Sequence, residues 1–285
     1  MRSGSTTEPT PSGCCLAVAP ADSLCIELIR RQLETEVVGF QIDLYQDVDS
    51  TNAALRRLAE AGAREGTVVL AEAQHAGRGR RGTPWFSPPG LNLYASVLFR
   101  PPIGPSAVPV FSFITSLALS DAIRAEGVPA AIKWPNDILI EGRKVAGSFG
   151  AVATVGDLVD YVILGTGANL NVERPALQQG LGAAAAGAIS VREAAGRPID
   201  RNGFAAAYLN LLEKWFDVYR VSGAPAVLQA WRERDVLAGR WVAVRSKGAR
   251  YDGRVLGANS EGQLVVQDAA DVQHRVIGAE ITVLD

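Results

Sequence analysis

Three glycines and three arginines make up the hexapeptide Gly77-Arg78-Gly79-Arg80-Arg81-Gly82. The glycines let the backbone approach a ligand closely, and the guanidinium groups supply fixed positive charge in planar donor forks. Such a loop suits an anion. It is not a Walker A loop, because neither Gly-Lys-Ser nor Gly-Lys-Thr closes it. By itself such an Arg-Gly segment is more often disordered or RNA-binding than catalytic. Ser50-Thr51-Asn52 opens a helical pattern and offers hydroxyl and N–H donors to a carboxylate or polar ring, although N-capping explains the same residues. Lys144 begins the return strand of a hairpin, where a solvated surface lysine is the ordinary outcome. Gly165-Thr166-Gly167-Ala168-Asn169 ends a strand with glycines that suit either backbone close to a ligand or a plain turn.

The rest of the composition narrows the chemistry. His75 and His274 are the only histidines, so a Ser-His-Asp triad or a multi-histidine metal site is excluded, and no residue is assigned to a metal. Catalysis must rest on Lys, Arg, carboxylates and backbone. Cys14, Cys15 and Cys25 show neither a paired framework nor metal spacing. A net charge of -2 and a pI near 5.8 argue against a general nucleic-acid binder. There is no run of 18 apolar residues, and the first residues lack an apolar signal-peptide region. The expectation is a cytoplasmic protein with no membrane partner.

These residues need a scaffold that brings them together. Residues 1–20 are rich in Ser, Thr, Pro and Gly and read as a tail, and 21–36 as a short amphipathic helix through Leu24, Leu28 and Leu33. Residues 42–45, 67–71 and 91–99 read as strands, which sets the arginine loop between two of them. The spacing predicts a helix over 109–124 with Phe113, Leu117 and Ala118 on its apolar side. A hairpin follows at 138–147, then strands at 149–155 and 158–164. From Asp200, Phe204, Tyr208, Leu211, Leu212, Trp215 and Tyr219 form a helical core stripe, with a further helix over 224–234. After Val236, short alternating segments parted by Gly, Asn and Ser turns suit a small antiparallel barrel.

In combination, Ser50-Thr51-Asn52, Gln74 with the arginine loop and Trp85-Phe86-Ser87, Lys133-Trp134-Pro135-Asn136-Asp137, Arg143-Lys144-Val145-Ala146-Gly147 and Gly165 to Asn169 resemble the biotin protein ligases. The match runs from about residue 42 to the C-terminus with the motifs in family order. It implies an α/β (α+β) fold: a mixed β-sheet catalytic domain of the biotin/lipoate ligase type over 41–235, a small SH3-like β-barrel over 236–285, and 1–40 as tail and short helix.

The implied activity uses ATP and Mg²⁺ to activate biotin as biotinyl-5'-AMP, then transfers biotin to a lysine of a biotin carboxyl carrier domain of an acyl-CoA carboxylase. By the same resemblance Lys144, Arg80 and Asp137 are catalytic. Biotin contacts Ser50, Thr51, Asn52, Gln74, Gly77, Arg78, Lys144 and Gly147. The nucleotide contacts Arg78, Arg80, Arg81, Trp85, Asn136, Lys144 and Asn169. Bifunctional members carry an N-terminal winged helix, and the first forty residues lack its pattern, so no DNA binding is expected, and the chain is expected to be a monomer or weak homodimer. A lipoate or octanoyl ligase of the same fold is the alternative.

Overall fold

The computed structural model describes residues 23–246 and 248–284, with the side chain of Arg81 left out. A seven-stranded mixed sheet carries the first two thirds of the chain. Its strands are β1 (Ile42–Tyr45), β2 (Val68–Ala71), β3 (Leu93–Phe99), β4 (Ala131–Lys133), β5 (Asp137–Ile140), β6 (Arg143–Val155) and β7 (Leu158–Ala168), in the order β1-β2-β3-β7-β6-β5-β4. Only β1 and β2 run parallel; every other pair is antiparallel.

Continuous apolar runs in β2 and β3 mean that both faces of the sheet are covered. Alternate side chains go to opposite faces. Val68, Leu70, Leu93, Ala95, Val97 and Phe99 enter the main core, whereas Val69, Ala71, Tyr94 and Leu98 join a second cluster with Ala54, Leu55 and Ala59. Those three lie on α2 (Thr51–Glu60), the helix after the five-residue α1 (Ile26–Arg30).

The main face is covered by α3 (Pro109–Ala125) and, beyond α4 (Arg174–Leu181) and α5 (Val191–Ala195), by α6 (Arg201–Arg232). Twelve of the 17 residues of α3 are buried, so the helix is enclosed on all sides and has no single apolar face as its sequence predicts. Residues 105–125 have the length and hydropathy of a membrane span, but here they are the core helix. The helix α6 breaks at Gly223 (φ 74°, ψ 179°), which separates the two helices read from the sequence. Phe99, Phe111 and Phe216 pack with centroids 4.6 to 5.9 Å apart and pin α3 and α6 to β3.

The helix expected over 21–36 is a correction. Among the described residues of that stretch only Ile26–Arg30 is helical, with Ile29 buried and Leu28 45% exposed. The chain then leaves the helix because α6 satisfies its amides: Glu36 N and Val38 N each donate to the buried carboxylate of Glu213 at 2.6 Å, and Glu34 N donates to Asn210 Oδ1. The tail at 1–20, with Cys14 and Cys15, lies outside the described residues.

The C-terminal strands β8 (Trp241–Ser246), β9 (Ala249–Ala258), β10 (Leu264–Gln267), β11 (Gln273–Val276) and β12 (Glu280–Val283) form an antiparallel sheet in the order β11-β10-β9-β8-β12. Among the described residues no ladder joins β11 to β12, so hydrogen bonding does not close the expected barrel. The two sheets are tied together: Trp134 Nε1 donates to Gly262 O at 3.0 Å, and Arg232 donates twice to Ala258 O.

The strap between them passes Asp235, whose Oδ2 is buried without a partner and whose pKa burial pushes up to about 6. A carboxyl that is more basic folded than unfolded takes up a proton on folding, so stability falls as pH rises from about 4 to about 6. Asp235→Asn removes this penalty and still accepts from Leu237 N. Thermal melts across that range are expected to lose their slope, with a gain on the order of 1 kcal/mol at neutral pH. Unchanged melting at every pH would contradict this.

Candidate functional site

A cavity of about 430 Å³ opens where the N-terminus of α2, the arginine loop, the β5–β6 hairpin and the end of β7 meet. All the site residues predicted from the sequence line it except Gly77 and Arg81. The side chain of Arg81 lies outside the described residues. Gly77 is buried beneath the loop, where a Cβ would sit 3.0 Å from both Gln74 Nε2 and Ser87 Oγ. It shapes the loop and does not line the cavity.

The arginine loop is a small hydrogen-bonded hairpin. Gly79 N donates to Thr83 O and Trp85 N to Gly77 O, and Arg78 Nη1 donates across to Gly82 O at 3.1 Å. Arg80 starts a 3-10 turn and reaches toward the sheet, where its Nη1 lies 3.4 Å from Asn136 Oδ1 and its guanidinium 5.9 Å from the Trp134 ring centroid. Asn136 is held in turn by donating to Ser148 O.

At the opposite wall, the N-cap Ser50 makes no side-chain capping bond. Capping therefore does not account for its hydroxyl. Thr51 N donates to Gln74 Oε1 at 3.0 Å, Gln74 Nε2 to Ser87 Oγ, and Ser96 Oγ to Thr51 Oγ1. Asn52 donates to Phe149 O and accepts from Ser96 Oγ. These bonds lock the biotin-side residues expected from the sequence into one polar wall.

Lys144 lies on β6, an interior strand between β5 and β7, so it is not the hairpin-edge lysine its sequence position implies. A β-bulge opposite Ile138 and Leu139 leaves Val145 unpaired beside it, an irregularity that re-aims neighbouring side chains. Lys144 Nζ lies 2.5 Å from Asp137 Oδ1 and 5.4 Å from the Trp85 ring centroid. A Cβ on Gly147 would sit 3.3 Å from both partners of this pair, so glycine there leaves the pair its space.

Asn169 donates through Nδ2 to Ile189 O, which fixes the cavity end of β7. Gly165 and Gly167 make room for protein rather than for ligand: a Cβ on the first collides with the Asn52 amide, and on the second with the Trp85 indole. Trp85 Nε1 is buried against Gly167 with no hydrogen-bond partner, so the indole is held there by packing. Gly167→Ala is expected to displace that indole and weaken nucleotide binding about tenfold, given how steeply binding geometry falls off with displacement. Calorimetry reads this; wild-type affinity would mean that Trp85 contributes nothing to the bound state.

Two parts of the wall escaped sequence reasoning. Leu181, Ala184, Gly187 and Ala188 come from a Gly-Ala stretch with no periodic signal, and Ala279 to Ile281 come from the second sheet. The cavity holds Arg78, Arg80, Lys133 and Lys144 against Asp137 and Glu280. This excess of positive charge fits polyanionic substrates, and among the described residues no cluster of three or more metal-ligating side chains exists. A phosphate-bound Mg²⁺ needs only one or two protein carboxylates, and Asp137 beside the cavity cations fits that demand.

The pattern of the biotin/lipoate A/B protein ligase family matches residues 44–169. The chain is 35% identical over 231 residues to the biotin acetyl-CoA-carboxylase ligase of Paracoccus denitrificans, covering 79% of this chain and 93% of that one. It is 33% identical over 255 residues to the bifunctional ligase/repressor BirA of Bacillus spizizenii, covering 89% and 77% respectively. Its fold superposes on the biotin protein ligase of Aquifex aeolicus, determined with biotin and ATP, with a TM-score of 0.69 at 22% identity, covering 86% of this chain and 99% of the other.

Proposed function

The chain belongs to the biotin/lipoate A/B protein ligase family as a biotin protein ligase, and on that premise we propose that Lys144 and the arginine loop neutralise the charge gathering as biotin meets ATP. The enzyme is an ATP-dependent ligase that activates biotin as biotinyl-5'-AMP and transfers it to protein. The observation that carries the site reading is the convergence of the α2 N-terminus with Gln74, the arginine loop and the Lys144–Asp137 pair on one cavity.

In the first step a biotin carboxylate oxygen attacks the α-phosphate of ATP and pyrophosphate leaves. Two anions are pressed together, so preorganised positive charge lowers the barrier. Lys144 stands between the biotin wall and the nucleotide wall, and Asp137 holds its ammonium in place. Arg78 and Arg80 bring charge from the loop, and Ser50, Thr51 and Gln74 receive the polar end of biotin. Trp85 gives its indole face to the adenylate; Asn136 and Asn169 border the nucleotide. Mg²⁺ entering with ATP would add charge neutralisation on the phosphates, with Asp137 the nearby carboxylate.

In the second step the acceptor amine attacks the acyl carbon and AMP leaves. Cationic neighbours lower the acceptor's pKa and favour the neutral nucleophile. The loop also shields the mixed anhydride from water.

We assign as acceptor a biotin carboxyl carrier domain of an acyl-CoA carboxylase, and a cytoplasmic location where ATP and that acceptor meet. We treat 41–235 as the catalytic domain and 236–285 as an appended SH3-like module, in a monomer or weak homodimer. Incubating the protein with MgATP, biotin and a carrier domain tests the assignment. Mass spectrometry should find one biotin on one carrier lysine, and none when lipoate replaces biotin; modification by lipoate alone would overturn it.

A further inference from the structure

Four polar side chains sit inside an otherwise apolar core at the base of the arginine loop. Arg201, the first residue of α6, has 1% of its side chain exposed and pairs through Nη2 with Glu72 Oε2 at 2.7 Å. Arg201 also donates from Nε and Nη2 to Asn92 O. Asn92 is fully buried; its Oδ1 accepts from Leu170 N at 3.0 Å, and its Nδ2 donates to Tyr94 OH at 3.1 Å. The Tyr94 hydroxyl donates to Pro88 O at 3.0 Å. Burial raises the phenol above its usual range, so it remains a donor at every working pH.

The placement of these bonds is informative. Glu72 and Asn92 flank the loop that carries Gln74, Arg78, Arg80 and Trp85, and Gly90 N closes the stem on Glu72 O at 3.2 Å. Through Leu170, the same asparagine holds the turn next to Asn169 on the nucleotide side. Burying an ion pair and two polar side chains adds little net stability compared with apolar residues of similar shape. Such a network does fix geometry, because each member loses its partners if any one moves.

We propose that Arg201, Glu72, Asn92 and Tyr94 are positioning residues that clamp both ends of the arginine loop against the Asn169 turn and so set the distance between the biotin and nucleotide halves of the site. The inference rests on the reading of that loop as the biotin clamp. None of the four lines the cavity. They act through the residues they hold.

Tyr94→Phe deletes one oxygen and keeps the ring. The expected result is a biotin KM raised about tenfold with kcat at saturating biotin within about twofold, the split produced by losing ground-state positioning. Trypsin cleavage in the loop at Arg78 and Arg80, measured in saturating biotin, should quicken about tenfold as well. Ser120→Ala is the control: it removes a buried hydroxyl bonded to Ala130 O, away from the loop, and should leave both readouts at wild-type values. If Tyr94→Phe does not fold, Asn92→Ser takes its place, since a serine is too short to reach both Leu170 N and the phenol. A folded variant with wild-type KM and wild-type protection overturns the clamp. A wild-type protein that makes no biotinyl-adenylate overturns the reading of the site instead.

Discussion

Lys144→Ala is expected to slow biotinyl-adenylate formation by about 100-fold or more, the typical effect of losing one preorganised charge, about 3 kcal/mol. Lys144 Nζ sits 2.5 Å from Asp137 Oδ1, between the walls assigned to the two substrates, so its charge is held in place. The fold should survive. The strand is fixed by its backbone, through pairing with β5 and β7 and through Ile189 N donating to Lys144 O, and an ion pair with both side chains about a third exposed contributes only about 1 kcal/mol or less. Pyrophosphate release with biotin and MgATP measures the chemical step, and circular dichroism the fold. Release near the wild-type rate would remove Lys144 from the chemistry.

Arg80→Gly should have its largest effect on what happens to the intermediate. Arg80 reaches Asn136 and the Trp134 face, linking the loop to the hairpin below it. Glycine at this position severs that link and adds backbone freedom to a loop already rich in glycine, where ordering each residue costs about 1 to 2 kcal/mol. The closed state loosens and activated adenylate escapes into solvent, where it acylates exposed lysines without selection. Streptavidin blots of a mixture containing albumin should show the bystander and the enzyme itself labelled, where wild type labels the carrier domain alone. Labelling confined to the carrier at undiminished adenylate synthesis would mean that Arg80 does not retain the intermediate.

Local pattern made much of this legible. The apolar runs of β2 and β3 are long because the sheet is covered on both faces, and the loop between them is marked by glycine and arginine. Order along the chain and residue type then placed Ser50 to Asn52, Gln74, the loop and Lys144 in one family pattern. What stayed hidden depended on distant partners. The short α1 ends because Glu213, on a helix far along the chain, takes the amides of residues 36–38. The helix α3 is enclosed by sheet and α6, and no local periodicity announces a helix buried all round. The wall from Leu181 to Ala188 is Gly and Ala with no alternation, and β11 (Gln273–Val276) carries one buried residue, too few to signal a strand. Gly165 and Gly167 were legible as close approaches, but the groups approaching them are Asn52 and Trp85 of the chain itself.

The most direct test of the account is exchange of labelled pyrophosphate into ATP with no acceptor protein present. Adenylate formation in a single cavity is reversible before transfer, so the wild-type enzyme should catalyse exchange that requires biotin, is not supported by lipoate and is lost in Lys144→Ala. Biotin transfer to a carrier domain without any biotin-dependent exchange, or exchange unaffected by Lys144→Ala, would contradict it.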